Sequence, residues 1–375
     1  MTDLLEVAAE APPDWDAATV DRPGGHVLQS RAWAEHRRAS GWRPLFMSAG
    51  ERRVLALTRP WPLVGGGSAY LPRGPVPVAG GEATARFLVA VAATLAARGI
   101  DVVAADPEVP ADERYGALIR EAGFRPIEEI QPARHRITLP LDPSADEAAV
   151  FAGLSKSTRQ RVRKAEPDVD VVRHDERALP DGVGEGFSRP AEAAAPALDR
   201  FYDLLLETGE RRHFQFGSRA EFTGWWRRAM AAGHLVYLEA RSADDRDEPL
   251  AGLVLYRHGG RLSTVHSGDR AASRRSHPGA LHLLRWRAIQ LAIRAGCSEM
   301  DLGGVDVAGA RREPREGEPM YGLYQHKLSF GGRWLELTGA HERVVRPGRY
   351  RVGRVAARAA RTAGAAARAV RRLRR

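Results

Sequence analysis

One cysteine, Cys297, is all the sequence offers in 375 residues. An internal disulfide is therefore impossible, and the chain fits a reducing compartment. Long apolar runs are missing too. The longest tempting stretch, Phe87 to Ala97, is eleven uncharged residues between Arg86 and Arg98, against the roughly 20 needed to cross a bilayer. The opening MTDLLEVAAEAPPDWD is acidic and lacks the basic-then-apolar order of a secretory leader. These absences predict a soluble, cytoplasmic protein. Several catalytic signatures are absent as well. There is no GxxxxGK[ST], and Gly65–Gly67 lack the lysine of a phosphate cradle. No GxSxG occurs, and the twelve histidines are scattered without HExxH or zinc spacing. No metal or resident cofactor is expected.

Charge is present, but unevenly. Eleven arginines and no acidic residue fall between 346 and 375, so the formal net charge of +10 leaves the preceding residues near neutral. A nucleic-acid-coating role for the whole chain is excluded on that ground. In the tail, Arg351, Arg354, Arg358, Arg361, Arg368, Arg372 and Arg375 follow a 3,4 spacing interrupted only at Ala365. In a helix they would form one basic stripe, suited to nucleic-acid phosphates or an anionic membrane, the alternative being a solvated, partly disordered extension.

The body reads as one plan used twice. WRPLFMSAG and RRVLALTRPWP have strand character, and SAYLPRGPVPV is extended. A helix from about Thr84 to Arg98 follows, then the strand IDVVAADP ending at Asp106. Later, HLVYLEA, PLAGLVLYRHG and RLSTVHSG form a meander, with the turn SADDRDEP between the first two. A helix opened by Pro278 and Gly279 runs to about Ala295, and the strand CSEMDLGG contains Asp301. Strands, helix, glycine, strand, aspartate, twice over, predict a duplicated α/β unit. Between the halves, FAGLSKSTRQRVRKAEPD reads as a basic helix with Lys156, Arg159 and Arg163 on one face. The helices around Phe201 and Trp226 carry Leu198, Tyr202, Leu205, Phe222, Trp225 and Met230 at core spacing rather than as a stacking platform.

MYGLYQHKLSFGGRW, Met320 to Trp334, alternates like a strand, with Lys327 opposite Tyr324, Leu328 and Phe330. Two readings of Lys327 stand: a charge guarding a sheet edge, or a cation placed for chemistry. Asp106, in an ADP turn, is likewise a turn cap or a catalytic carboxylate. In RRSHPGALH, Arg275 and Gly279 stand one residue too far apart for the pyrophosphate loop of ordinary N-acetyltransferases.

Taken in order, the motifs resemble the Fem family of peptidoglycan-bridge aminoacyltransferases. GHVLQSRAWAEHRRASGW resembles its opening glutamine–tryptophan helix, AYLPRGPV its signature loop, and ADPEVP its aspartate–proline. LSKSTRQRVRKAE resembles the basic helix beginning its second domain, and FYDLLLETGERRHF its threonine–arginine segment. GALHLLRWRAIQLAIRAGCSEMDLGGV resembles its late helix and strand, and YGLYQHKLSFGGRW its closing strand. The ordered matches cover about residues 24–345 and have no counterpart of the long helical arm of FemA-type members, so the compact FemX type is the better match.

The resemblance implies an α/β protein of two tandem N-acetyltransferase-like (GNAT-type) domains with mixed sheets flanked by helices. The first would span residues 1–144, completed by about 320–345, and the second 145–319, followed by an Arg/Ala-rich tail at 346–375. It implies an aminoacyltransferase that moves an amino acid from aminoacyl-tRNA to a side-chain amine of a peptidoglycan precursor, lipid-linked or nucleotide-linked, without a cofactor. Lys327 would stabilise the oxyanion, and Asp106 would act as general base or position the amine. Arg37, Arg73, Thr208, Arg211 and Tyr324 would contact substrate. His135 stands where many relatives have threonine. The alternatives are an acyltransferase using acyl-CoA or another small-molecule amine, as in secondary metabolism, and a non-enzymatic RNA- or membrane-binding protein. A cytoplasmic protein with its tail on the inner face of the plasma membrane is the implied location.

Overall fold

The computed structural model describes residues 5–373, apart from 78–79, 112, 143, 145, 178–182, 184, 189–192, 213–215 and 245–247. Arg375, the middle of the SADDRDEP turn and the end of the threonine–arginine segment lie outside the described residues. The chain forms two units. The first takes residues 1–19, 28–131 and 337–375, and the second 20–27 and 132–336. These limits differ from those expected. The second unit takes in 20–27, its main run starts at Pro132, and the chain rejoins the first at Leu337 rather than near 320.

The first unit opens with β1 (Glu6–Ala8), α1 (Arg31–Ala39), β2 (Arg43–Ala49), β3 (Arg52–Pro60) and β4 (Gly67–Leu71). Ser30 caps α1 by accepting from the Trp33 amide. Next come α2 (Gly80–Ala97), β5 (Ile100–Ala105), α3 (Glu113–Glu121) and β6 (Arg125–Pro126). Along α2, Leu88, Val91, Ala92 and Leu95 recur at i, i+3, i+4, i+7, and all four are buried with Val54, Ala69 and Val103 of the sheet.

The second unit runs through β7 (Arg136–Pro140), α4 (Glu147–Gly153), α5 (Lys156–Ala165), β8 (Val169–His174), α6 (Ala194–Arg212) and α7 (Arg219–Ala231). The meander β9 (Leu235–Ser242), β10 (Pro249–His258) and β11 (Arg261–Asp269) follows, then α8 (Ser273–Ser276), α9 (Ala280–Arg294), β12 (Glu299–Asp301), α10 (Tyr321–Leu328) and β13 (Arg333–Leu335). The basic stretch expected as one helix is two. Ser155 caps α5, and Arg159 donates to the carbonyls of Ala152 (2.7 Å) and Leu154 at the end of α4. The aromatics of α6 and α7 are core: Phe201 meets Trp226 at 5.3 Å and Tyr237 at 5.0 Å between ring centroids.

The chain then returns to the first unit with β14 (His341–Val344) and α11 (Pro347–Leu373). Each unit is built on a seven-stranded mixed sheet, β1-β2-β3-β4-β5-β14-β6 in the first and β13-β7-β12-β11-β10-β9-β8 in the second. Each sheet has one parallel pair joined across a helix, β4 with β5 through α2 and β11 with β12 through α9. The remaining pairings are antiparallel. The duplicated α/β plan read from the sequence is the architecture.

The expected closing strand at 323–330 is instead helix α10. Tyr324, Lys327 and Leu328 sit three and four residues apart, a helical face that a period-two reading splits between opposite sides. The strand that follows, β13, pairs with β7 inside the second unit, and β14 supplies the return to the first.

Candidate active site

In the first unit the parallel pair ends at Leu71 and Ala105, which are register partners. Beyond that point the two strands part, and Asp106 stands in the opening, fully buried. Its Oδ1 accepts from the Arg73 backbone amide (2.7 Å) and its Oδ2 from the Tyr70 hydroxyl (2.9 Å). The Arg73 guanidinium is 4.0 Å from Oδ2, and Gln131 Nε2 donates to the Tyr70 oxygen at 2.9 Å. Burial lifts the Asp106 carboxyl to about 6 against the opposing pull of Arg73. The carboxylate thus binds the signature loop to the end of β5. Arg73, which has positive φ (51°), is held at this joint.

The second unit repeats the layout with different chemistry. The parallel pair ends at Ser263 and Asp301, while β11 continues to Asp269 with an irregularity opposite Val254–Leu255. Lys327 comes to this divergence from α10, only 6% exposed. Its Nζ donates to Gly304 O at 3.2 Å. Gly303, at φ +80°, leaves the space it uses: a Cβ there would lie 3.0 Å from both Lys327 Nζ and Thr264 O. Gly303 N in turn donates to Asp301 Oδ1 at 2.7 Å, fixing the loop. Burial and the charge of Arg285 push the Lys327 ammonium down to about 7, against the pull of Asp301. Near neutrality such a lysine carries or gives up its proton readily. Lys327 is therefore not a charge guarding a sheet edge. His282 and His326, rings 4.7 Å apart, are held neutral beside it, pushed by burial to about 4 and about 2.

Of the other expected residues, Tyr324 lies one turn before Lys327 on α10 and donates its hydroxyl to Glu313. Thr208 and Arg211 come together on α6 around the end of β11. Arg211 Nη2 donates to Asp269 Oδ1 and O, both at 2.6 Å, and the Asp269 amide donates to Thr208 Oγ1 at 3.2 Å. Arg274 closes the same carboxylate from the other side. Arg37, on α1, stacks against Trp33 and Trp42 at 5.3 and 5.6 Å. His135 Nε2 lies 2.9 Å from Arg311 O. Asp106 and Arg73 thus belong to the first unit with Arg37, and Lys327, Tyr324, Thr208 and Arg211 to the second. Sequence reasoning missed Tyr70, Arg285 and Asp269, since nothing local marks a buried tyrosine, helix arginine or strand-end aspartate as a partner. Asp301 was marked by the repeated strand–aspartate pattern, whereas Gly303 and Gly304 were not.

A crystal structure of FemX superposes on the chain with a TM-score of 0.74 at 17% identity, covering 92% of this chain and 99% of FemX. The fold is FemX-like. A conserved protein of unknown function from Bacteroides thetaiotaomicron VPI-5482 shares that fold more distantly, with a TM-score of 0.51 at 13% identity over 90% of this chain and 99% of its own. Residues 156–316 match the acetyltransferase (GNAT) domain family. This segment contains the β11–α9–β12 pair of the FemX-like fold and supports acyl transfer as the chemistry. No curated protein matches the sequence.

Proposed function

We propose that the protein transfers an aminoacyl group from aminoacyl-tRNA to a side-chain amine in the stem peptide of a peptidoglycan precursor. The observation that carries this reading is Lys327, buried where a parallel strand pair diverges and holding its proton only loosely near pH 7. In the reaction the amine nitrogen attacks the ester carbonyl, an amide bond forms, and the ester C–O bond breaks. The tRNA hydroxyl leaves and takes up the proton that the amine gives up. The ester is already activated, so the chain has to orient the two reactants and stabilise the oxyanion. Lys327 in its charged form serves the second task, with Tyr324 shaping the wall beside it.

Asp106 enters as a positioning residue, because both its oxygens are engaged within the first unit. Through it Arg73 and the signature loop are held at the end of β5. Thr208 and Arg211, ordered by Asp269 within the second unit, are assigned to the acceptor's diphosphate. No cofactor takes part, and the aminoacyl-tRNA is a co-substrate.

A second reading, acyl-CoA as donor, is favoured by one feature. A cavity of about 160 Å³ beside the start of α9 is lined by Lys164, Arg275 and His277 together with Asp168, and its two cations suit a pyrophosphate. Purified protein, charged tRNA and a precursor containing lysine or diaminopimelate should give a product one amino acid heavier by mass spectrometry, and RNase should abolish it. Turnover with acyl-CoA and none with any charged tRNA overturns the main reading in favour of the second.

A further inference from the structure

Helix α11 is made of two dissimilar parts. Its first turns are fastened to the first unit through Asp101, which is fully buried. That carboxylate accepts from Arg349 Nε and Trp61 Nε1, both at 2.8 Å, and from the Gly67 amide at 3.2 Å. Arg346 donates to the carbonyls of Ile100 and Ala96, each at 3.0 Å. Gly353 rests so closely on Trp61 that a Cβ would lie 2.5 Å from the indole ring. The fastening ends there. Arg354, Val355, Arg358, Ala359 and Ala360 are exposed, with Arg354 reaching back to Tyr350 Oη at 3.3 Å.

Beyond Gly353 the helix has two faces. Arg351, Arg354 and Arg358 fall on one stripe, which the sequence continues through Arg361, Arg368 and Arg372. Val352 and Val355 lie to one side of it, 54% and 67% exposed, although valine is among the residues most often buried. In sequence their face runs on through Ala359, Ala363, Val370 and Leu373. The rest of the chain is near neutral, so this helix carries the molecule's basicity.

We propose that α11 is an interfacial anchor that lies on an anionic lipid surface. The guanidinium groups meet lipid phosphates while the valine and alanine face enters the headgroup boundary. A stripe made for nucleic acid has no use for the apolar face, and no aromatic residue follows Tyr350 on which a base would stack. The face is shallow, so charge supplies most of the attraction and the apolar side chains set the depth.

The test uses the full chain and vesicles of phosphatidylcholine, with and without phosphatidylglycerol, in a flotation assay near physiological salt. A variant carrying Arg351→Gln, Arg358→Gln, Arg361→Gln, Arg368→Gln and Arg372→Gln leaves the Asp101 fastening intact. Each arginine at an anionic surface contributes about fivefold, so this variant should bind anionic vesicles at least ~100-fold more weakly. Its thermal midpoint should match that of the parent. A second variant, Val352→Ser with Val355→Ser, should lose roughly tenfold with every charge in place. Equal binding by the parent and the five-arginine variant overturns the proposal, as does equal binding to neutral and anionic vesicles. Tighter binding to tRNA than to anionic vesicles, lost in the same five-arginine variant, overturns it in favour of nucleic acid.

Discussion

At Lys327 the deciding quantity is the proton. Burial and Arg285 bring the ammonium down to about 7 from an ordinary 10.5, so the cation that would stabilise an oxyanion is present below about pH 7 and lost above it. We expect kcat/KM to fall about tenfold per pH unit above that point. Lys327→Arg, which stays charged, should remove this limb. A rate that instead rises through pH 7 would make the lysine a base, and a profile flat across neutrality would remove it from the chemistry. Lys327→Met should lower kcat by roughly 10²–10³, the loss expected for an oxyanion donor. The same residue leaves a mark on stability. Between about pH 7 and 10 the unfolded chain holds a proton at Lys327 that the folded chain does not, so stability should rise with pH across that window. Lys327→Met should flatten the slope in urea titrations. Asp106 has the opposite sign. Its folded value of about 6 lies above the ordinary 3.8, so the folded state binds the extra proton, and stability should decline from about pH 4 to 6. Asp106→Asn should abolish that decline, and a decline unchanged in the variant would mean that another group is responsible.

The elements explain why part of this was legible. Short apolar runs bounded by turn residues over β3, β9 and β10, and a 3.6 period over α2, are properties of the side chains themselves. Strands, helices and the duplication therefore followed directly, as did the aspartate closing each β–α–β segment. The stretch 321–328 misled because its short alternation also satisfies a helix, and nothing within it says which sheet is near. What decides there is tertiary: Lys327 needs the room that Gly303 leaves, and Gly303 lies 24 residues away in sequence. The partners of Asp106, Arg211 and Lys327 come from distant segments, so their bonds had no local signature. Gly303 therefore gives an element-scale prediction. Gly303→Ala forces a side chain into the left-handed region at φ +80° and against Lys327 Nζ. It should cost roughly 1–2 kcal/mol of stability, read from the urea midpoint, and lower kcat as the ammonium shifts. Parental stability and turnover together would show that the loop after β12 moves aside and does not position the lysine.

For the whole molecule, the decisive feature is that the first unit is discontinuous. Its sheet is complete only when β14, from residues 341–344, pairs with both β5 and β6. Val345 N, just beyond, donates to Asp101 O at 2.7 Å, and α11 then closes on Trp61. Most of the second unit is one run, residues 132–336, with the strap 20–27 laid against it. Gly259 N donates to Val20 O at 2.7 Å, and His258 Nδ1 lies 3.0 Å from Gly25 O. Synthesis from the N-terminus thus makes the first unit's opening strands early but leaves β5 with an unpaired edge until the last part of the chain arrives. A chain ended after Glu336 should keep a folded second unit and lose the first. The loss comprises β14's pairings with both neighbours, the charge-assisted bonds to Asp101, and the Trp61 contact, which is more than a marginally stable domain withstands. Limited proteolysis with mass spectrometry should then return a resistant core covering about 132–336, with cuts within 28–131, whereas the full chain should resist in both regions. Resistance across 28–131 in the shortened chain would show that the first sheet holds without its late strand.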